Sequence, residues 1–222
     1  MKYYNKVTWN DRWIIETVFN SKQNGFFVEA GAQHGKWGSC TYALETELGW
    51  TGILVEPVDY MFKKLIKFRP NSKCFNVCLY DKNKEVDFVE FNSQQGNGSK
   101  VGWSGISENW LSKRQISPED HEHKILKKKA ITLEKLLIDG NAPKLIDYLA
   151  LDIEGAEKKV LEKFPFNKYK FKAISIEGPG KVIDLLKGKG YIPLYNLFSE
   201  ANIYTEGYFI HKDYVEIIYK TQ

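Results

Sequence analysis

The chain has little cysteine, only a small excess of positive charge, and no long apolar run. Its 222 residues include three cysteines, Cys40, Cys74 and Cys78. The number is odd and no Cys-x-x-Cys pair occurs, so neither a disulfide framework nor a zinc site is expected, and the thiols read as reduced core residues. No uninterrupted apolar stretch approaches the ~20 residues that span a bilayer, and the opening Met1–Lys6 lacks the apolar segment of a secretory signal. The expectation is a cytoplasmic protein without a membrane partner. The 32 Lys and Arg against 28 Asp and Glu leave a net charge of +4, far from the concentrated patch of a dedicated nucleic-acid binder. The densest basic run, four lysines between Lys124 and Lys129, reads as a solvated face flanking a strand that could steer an anionic substrate. There is no internal repeat and no low-complexity tract. With 43% hydrophobic and 27% charged residues, the chain suits one globular domain over 1–222 with a sizeable core.

What is present is an alternation of strand and helix patterns. Trp9, Trp13, Ile14, Val18 and Phe19 follow helical spacing, which predicts an N-terminal helical segment within residues 1–24, capped by Asn10 or Asp11. Asn24-Gly25 breaks the pattern, and Phe26–Ala30 reads as a buried strand running into the tight loop Gly31-Ala32-Gln33-His34-Gly35. A helix over about 39–48 closed by Gly49, a strand over 51–57, a helix over about 58–68 halted by Pro70-Asn71, and a strand over about 73–79 follow. This rhythm implies parallel β-α-β units with right-handed crossovers. Glu85–Phe91 alternates polar and apolar residues like a half-exposed strand. The long polar stretch 92–124, with Gly96, Gly98, Gly102 and Gly105, reads as an active-site lid or substrate loop. A helix over 131–138, a strand over 146–152, a helix over 156–164, a strand over 172–177 and a helix over about 181–187 continue the alternation. An antiparallel pair over 191–197 and about 208–219 finishes one edge.

Ligands of open α/β sheets bind outside the carboxyl ends of the strands, where the order of strand addition reverses. The informative residues fall at those ends: Glu29 and the Gly31–Gly35 loop, Glu56, Asp152 with Glu154, and Glu177. Gly31 and Gly35 let the backbone turn sharply and approach a ligand. Their Gly-x-x-x-Gly spacing lacks the Gly-x-Gly-x-x-Gly pattern of a dinucleotide fold and argues against a nicotinamide dehydrogenase. Glu56 stands 25 positions after Gly31, at an open strand rim where a carboxylate can accept hydrogen bonds from both ribose hydroxyls of a nucleoside. Taken alone it would be an ordinary charged strand end stopped by Pro57; the glycine loop before it favours ribose recognition.

Four segments then carry a specific resemblance: Phe26-Phe27-Val28-Glu29-Ala30-Gly31-Ala32, Leu48-Gly49-Trp50-Thr51-Gly52-Ile53-Leu54-Val55-Glu56-Pro57, Leu149-Ala150-Leu151-Asp152-Ile153-Glu154-Gly155-Ala156-Glu157, and Ile174-Ser175-Ile176-Glu177. In this order and at these distances the chain resembles the FkbM family of S-adenosylmethionine-dependent methyltransferases, from about Asp11 to about Tyr195. The resemblance implies a Rossmann-like class I methyltransferase fold of the α/β class, with a mostly parallel seven-stranded sheet, helices on both faces and an antiparallel edge. It implies O-methylation of a hydroxyl on a small molecule or on a sugar or glycan, with S-adenosyl-L-methionine as cofactor. Glu29 and Gly31 would line the methionine part of the cofactor, and Glu56 would hold the ribose. Ala32, Gln33, Gly35, Pro57 and Cys78 complete the expected cofactor-binding set, and Asp152 would sit near the transferring methyl. The family commonly has Asp-Gly where this chain has His34-Gly35, so the contacts of that aspartate do not carry over.

Methyl transfer is a direct displacement, in which the enzyme supplies alignment and removes a proton from the acceptor. The candidate bases are Asp152 and Glu177, then Glu154 and His34. Asp152 and Glu154 lie two apart and share a face while the strand continues. Carboxylates on adjoining strand ends also suit Mg2+. Against this, Glu154 at the start of the next helix would be favourable through the helix dipole alone, so a base without a metal is the preferred reading. His121-Glu122-His123 lacks a third convincing ligand and receives no role. Trp103 and Trp110 could stack on an acceptor or pin the loop. Two further readings stay open: a catalytically inactive cofactor-binding or interaction domain, which the His34 substitution allows, and an RNA methyltransferase, which would need a basic cleft.

Overall fold

The computed structural model describes residues 2–91, 101–108, 123–194 and 206–215. Apolar runs form strands β1 (Phe26–Ala30), β2 (Thr51–Val55), β3 (Lys73–Phe75), β8 (Leu145–Leu151), β9 (Lys170–Glu177), β10 (Tyr191–Leu194) and β11 (Glu206–His211), which make one seven-stranded sheet in the order β10-β11-β9-β8-β1-β2-β3. Every pairing from β9 through β3 is parallel, and β11 runs antiparallel to both its neighbours. This is the Rossmann-like class I methyltransferase arrangement that the sequence implied.

Among the described residues, α1 (Asn10–Arg12) precedes the first strand, and α2 (Tyr42–Leu48), α3 (Asp59–Phe68), α4 (Leu133–Asp139), α5 (Glu157–Glu162) and α6 (Ile183–Gly188) lie between strands. Gly49 closes α2 at φ +67°, the left-handed position that glycine takes without penalty. Thr132 caps α4 by accepting the Lys135 N–H at 3.1 Å, worth about 1 kcal/mol. Two apolar clusters cover the two faces of the sheet. Val28, Val55, Leu149, Leu161 and Phe171 belong to one, and Trp13, Phe27, Leu54, Leu65 and Tyr148 to the other. Side chains alternate across a strand, so Phe27 and Val28 serve opposite cores. No described helix is long and apolar enough to cross a membrane.

Several expectations from the sequence are corrected. The N-terminal helix is three α-helical residues followed by the wide π-helical turn Trp13–Val18, and neither Asn10 nor Asp11 caps it. Asp11 instead accepts the backbone N–H groups of Tyr4 and Asn5. The strand expected over 73–79 is two: β3 stays in the main sheet, and β4 (Cys78–Leu79) joins a second, four-stranded sheet in the order β4-β7-β5-β6. In that sheet β5 (Lys84–Phe91) pairs antiparallel with β7 (His123–Ile131) along its length. The lysine run is therefore a strand itself, its charges facing Glu85, Asp87 and Glu90 across the ladder, with Lys127 at 2.8 Å from Asp87. Strand β6 (Gly105–Ile106) and the short turn Val101–Trp103 come from the segment expected to be a lid. Gly96, Gly98, Trp110 and His121 of that segment lie outside the described residues, as do 195–197 and 216–219 of the expected final strands.

Candidate functional site

The strand order reverses between β1 and β8, because β2 and β3 add on one side of β1 while β8 and β9 add on the other. The two strand ends lock together there. The Asp152 N–H donates to the Ala30 carbonyl at 3.1 Å, and Gly31 follows at φ +86°. A Cβ on Gly31 would lie 1.9 Å from the Asp152 carbonyl oxygen, so only glycine lets the chains pass at this distance. Two cavities open at this point, and the walls of both include Gly31, Gln33 and Asp152.

The first cavity, its open mouth included, holds about 600 Å3 of empty space. Val55, Leu79, Phe88 and Ile106 make it largely apolar, and Pro57 and Cys78 of the expected set line it. Gly102, Ser104, Gly105 and Ile106 close one side, so the described part of the expected lid is a wall of this cavity. Glu56 lies in the wall but is only 4% exposed, which corrects the expectation of an open rim. Its Oε2 accepts the Gln33 N–H at 2.8 Å and its Oε1 the Val58 N–H at 2.7 Å. Burial pushes its carboxyl up to about 7, against the opposing pull of those two N–H donors. An ionised carboxylate has about four acceptor positions, so two backbone donors leave capacity for two hydroxyls.

The second cavity is larger, about 1030 Å3 of empty space with its open mouth included, and its walls carry four carboxyl side chains, Glu29, Asp152, Glu177 and Glu206. Asp152, Ser175, Glu177 and Glu206 form one side, and Asn5, Thr8 and Asn10 of the N-terminal turn form another. Glu29 and Ala32 also line it, but the Glu29 carboxylate is engaged by the neighbouring loop. Its Oε1 accepts the Cys40 N–H at 2.8 Å, and its Oε2 accepts the Ser39 and Thr41 hydroxyls at 2.9 and 2.5 Å. Arg69, fully buried, pairs with it at 3.5 Å and with Glu45 at 2.8 Å. Glu29 thus holds the loop that shapes the cavity.

Asp152 opens onto the cavity, yet desolvation among the packed strand ends, together with Glu177 and Glu154, holds its carboxyl well above the usual range. Burial likewise raises Glu206, to about 7, with Glu177 adding to the effect. Carboxylate oxygens of Asp152, Glu157 and Glu177 lie within 4.8 Å of one another, an arrangement that suits a hard cation. Glu157 also anchors the backbone: its Oε1 accepts the N–H groups of Ile153 and Gly155 at 3.0 and 3.1 Å.

Other expected residues fall elsewhere. His34 lines neither cavity; its ring packs edge-on to Phe68 with centroids 6.4 Å apart. Its pKa is lowered by desolvation and by Lys64 and Lys36. Gly35 also lies off the cavities, against Leu65 and Arg69. Glu154 lines the first cavity but does not start a helix and shares no strand face with Asp152. Strand β8 ends at Leu151, Glu154 has φ +57°, and α5 begins at Glu157. The sequence reading missed Asn10, Ser175 and Glu206. Ser175, a polar residue inside an apolar strand, was the available signal; Asn10 was read as a cap, and Glu206 lay in a stretch assigned to no element.

Residues 29–193 match the family model described as the methyltransferase FkbM domain. Comparison with curated proteins gives no significant match. Among solved structures, the METTL16 methyltransferase domain aligns at 12% identity and a TM-score of 0.45, covering 90% of this chain and 65% of that one. The chain thus spans less than two thirds of that domain. A TehB-like SAM-dependent methyltransferase from Corynebacterium glutamicum aligns at 10% identity and a TM-score of 0.45, covering 94% and 89%. The N-terminal domain of human METTL16 in complex with SAH aligns at 11% identity and a TM-score of 0.42, covering 92% and 67%.

Proposed function

Because the chain belongs to the FkbM methyltransferase family, we propose that its two joined cavities bind S-adenosylmethionine and that it methylates a hydroxyl oxygen on a small molecule or glycan. The observation that carries this reading is the shared wall at Gly31, Gln33 and Asp152. It joins a cavity containing the buried Glu56 carboxylate to one lined by four carboxyl side chains, across the strand switch point. The residues present fit the cofactor. The first cavity offers apolar walls for a base and spare acceptor positions on Glu56 for a ribose. The second offers carboxylates for a molecule that carries an ammonium and a sulfonium.

When bound, the cofactor supplies a methyl on sulfur, which passes to the acceptor oxygen as the C–S bond breaks and its electron pair stays on sulfur. The chain's own residues align the acceptor and take its proton. Asp152 is the proposed base, because it stands where the two cavities meet and a carboxyl held above its usual range by burial and by Glu177 accepts a proton more readily than an ordinary one. Glu177 faces the same cavity and is the second candidate. Glu56 orients the nucleoside, while Glu29, through the loop at 39–41, keeps the cavity wall in position. His34 has no role in this mechanism, since it lines neither cavity.

The test is calorimetric titration with S-adenosylmethionine, followed by measurement of S-adenosylhomocysteine release over a panel of alcohols and sugars. Binding and acceptor-dependent turnover that persist in EDTA are the expected result. Failure to bind the cofactor overturns the whole reading, and activity abolished by EDTA and restored by Mg2+ overturns the metal-free base.

A further inference from the structure

The N-terminal turn that walls the second cavity is held by its own hydrogen bonds and by the sheet. Asn5 Oδ1 accepts the N–H groups of Val7 and Thr8 at 3.3 and 3.1 Å, and the Asn5 carbonyl accepts the Trp9 N–H at 3.1 Å. From strand β11 the Tyr208 hydroxyl donates to the Thr8 carbonyl. Asn10 Nδ2 donates to Glu206 at 2.7 Å and to the Ser175 hydroxyl at 3.1 Å. The turn therefore presents its side chains to the cavity from a fixed position.

Two atoms of this turn stay unpaired. Thr8 Oγ1 and Asn10 Oδ1 are buried and have no hydrogen-bond partner among the described residues, and both residues line the second cavity. Asn10 as a whole is only 2% exposed. Buried polar atoms are nearly always paired, so two open ones on one cavity wall call for a ligand that pairs them. An amide oxygen can only accept, whereas a threonine hydroxyl both donates and accepts. A ligand hydroxyl meets both demands. Thr8 and Asn10 line only the second cavity and lie outside the segment 29–193 that matches the family model. That position suits recognition of this enzyme's own acceptor better than of the shared cofactor.

The distance to the proposed base follows from the register. Ser175, which Asn10 holds, pairs with Ala150 in the β9–β8 ladder, two residues before Asp152, or roughly 7 Å along a strand. Two hydroxyls on neighbouring carbons, each within hydrogen-bond distance of its own partner, bridge such a gap. We propose that Thr8 and Asn10 are specificity-determining residues that hold a second hydroxyl of the acceptor, so that the enzyme takes a vicinal diol and methylates the hydroxyl nearer Asp152. This rests on the methyltransferase reading above. A lone alcohol leaves both buried atoms unpaired, and a site built to bond a hydroxyl rejects the analogue that lacks it.

The experiment uses the whole protein saturated with S-adenosylhomocysteine. Cyclohexanol and its vicinal trans-diol, one ring with and without the second hydroxyl, are titrated against it by ligand-observed NMR. The diol is expected to bind at least about fivefold more tightly. That advantage should shrink in Thr8→Val and vanish in the double variant Thr8→Val, Asn10→Ala; if the double variant fails to fold, Thr8→Val alone decides. Because Thr8→Val keeps the shape and removes only an unpaired hydroxyl, its melting temperature without acceptor should be no lower than the parent's. A diol that binds no better than the alcohol, absence of binding included, overturns the proposal, as does an advantage untouched by the variants. A lower melting temperature in Thr8→Val would mean that its hydroxyl is bonded within the protein, and a loss of S-adenosylhomocysteine affinity confined to the variants would assign these atoms to the cofactor; either overturns it. Failure of the parent protein to bind S-adenosylhomocysteine strikes the methyltransferase reading instead, so the two failures are distinguishable.

Discussion

At the scale of single residues, Glu56 and Asp152 differ in what surrounds them, and that difference separates binding from chemistry. Glu56 holds two backbone N–H groups at 2.7 and 2.8 Å while lining the cavity proposed for the nucleoside. Glu56→Ala should therefore weaken S-adenosylmethionine binding at least about tenfold. It should also cost stability, because two N–H groups lose their acceptor at ~1–3 kcal/mol each. Glu56→Gln keeps acceptor capacity and should retain more of both. Titration calorimetry with thermal melts on the two variants checks this; an unchanged dissociation constant in folded Glu56→Ala removes the ribose assignment. Asp152 stands where both cavities meet. Asp152→Asn should leave cofactor affinity within a few-fold and lower turnover by ~100- to 10,000-fold, the usual effect of losing one positioned base. Near-normal turnover with a true acceptor would make Asp152 structural.

At the scale of elements, the junction of β1 with β8 is the most constrained point of the site. Gly31 has φ +86° and its missing Cβ would sit 1.9 Å from a backbone oxygen, whereas Gly38 has φ +81° with nothing within 4 Å of its Cβ position. Both alanine variants incur the left-handed penalty of roughly 1–2 kcal/mol, and only Gly31→Ala adds a backbone clash. Gly31→Ala is thus expected to lower the melting temperature much further and to abolish cofactor binding, while Gly38→Ala binds nearly as the parent does. Equal effects in melts and titrations would mean that φ, not the close approach, is what Gly31 provides. The loop between them is anchored from the other side by Arg69, which lies between Glu29 and Glu45. Sequence periodicity identified the strands on either side of this loop. It did not identify the anchor, because Arg69 sits at the end of α3, distant in sequence from both of its carboxylates.

At the scale of the whole molecule, several carboxyls are raised by burial: Glu56 and Glu206 to about 7, Asp11 to about 6, and Asp152 well above the usual range. A raised carboxyl binds its proton more tightly in the folded state than in the unfolded chain. Its contribution is complete below the ordinary carboxylate range and is lost as pH rises through the folded value. His34 and His211 are lowered and act in the opposite sense, chiefly below their ordinary value of 6.5. The free protein is therefore expected to lose several degrees of melting temperature between pH 6.5 and 8. The slope should flatten in Glu56→Gln and Glu206→Gln. A melting temperature that rises over this interval would show that these carboxyls are not desolvated as the fold implies.

The sequence by itself determined the alternation of strands and helices, the parallel sheet and the strand ends that carry Glu29, Glu56, Asp152 and Glu177. Each of these is a local property: side-chain period selects helix or strand, and glycine with carboxylate at a strand end marks a rim. Only the tertiary structure decided which of those residues share a cavity. It turned Glu29 toward Arg69 and the loop at 39–41 and packed His34 against Phe68. It also brought Asn10 and Glu206, 196 positions apart, to a 2.7 Å hydrogen bond. The lysine strand β7 likewise became a strand because β5 offered it a complete ladder of opposing partners. Side-chain pairing across the sheet and between distant loops depends on register and crossover, which no local pattern encodes.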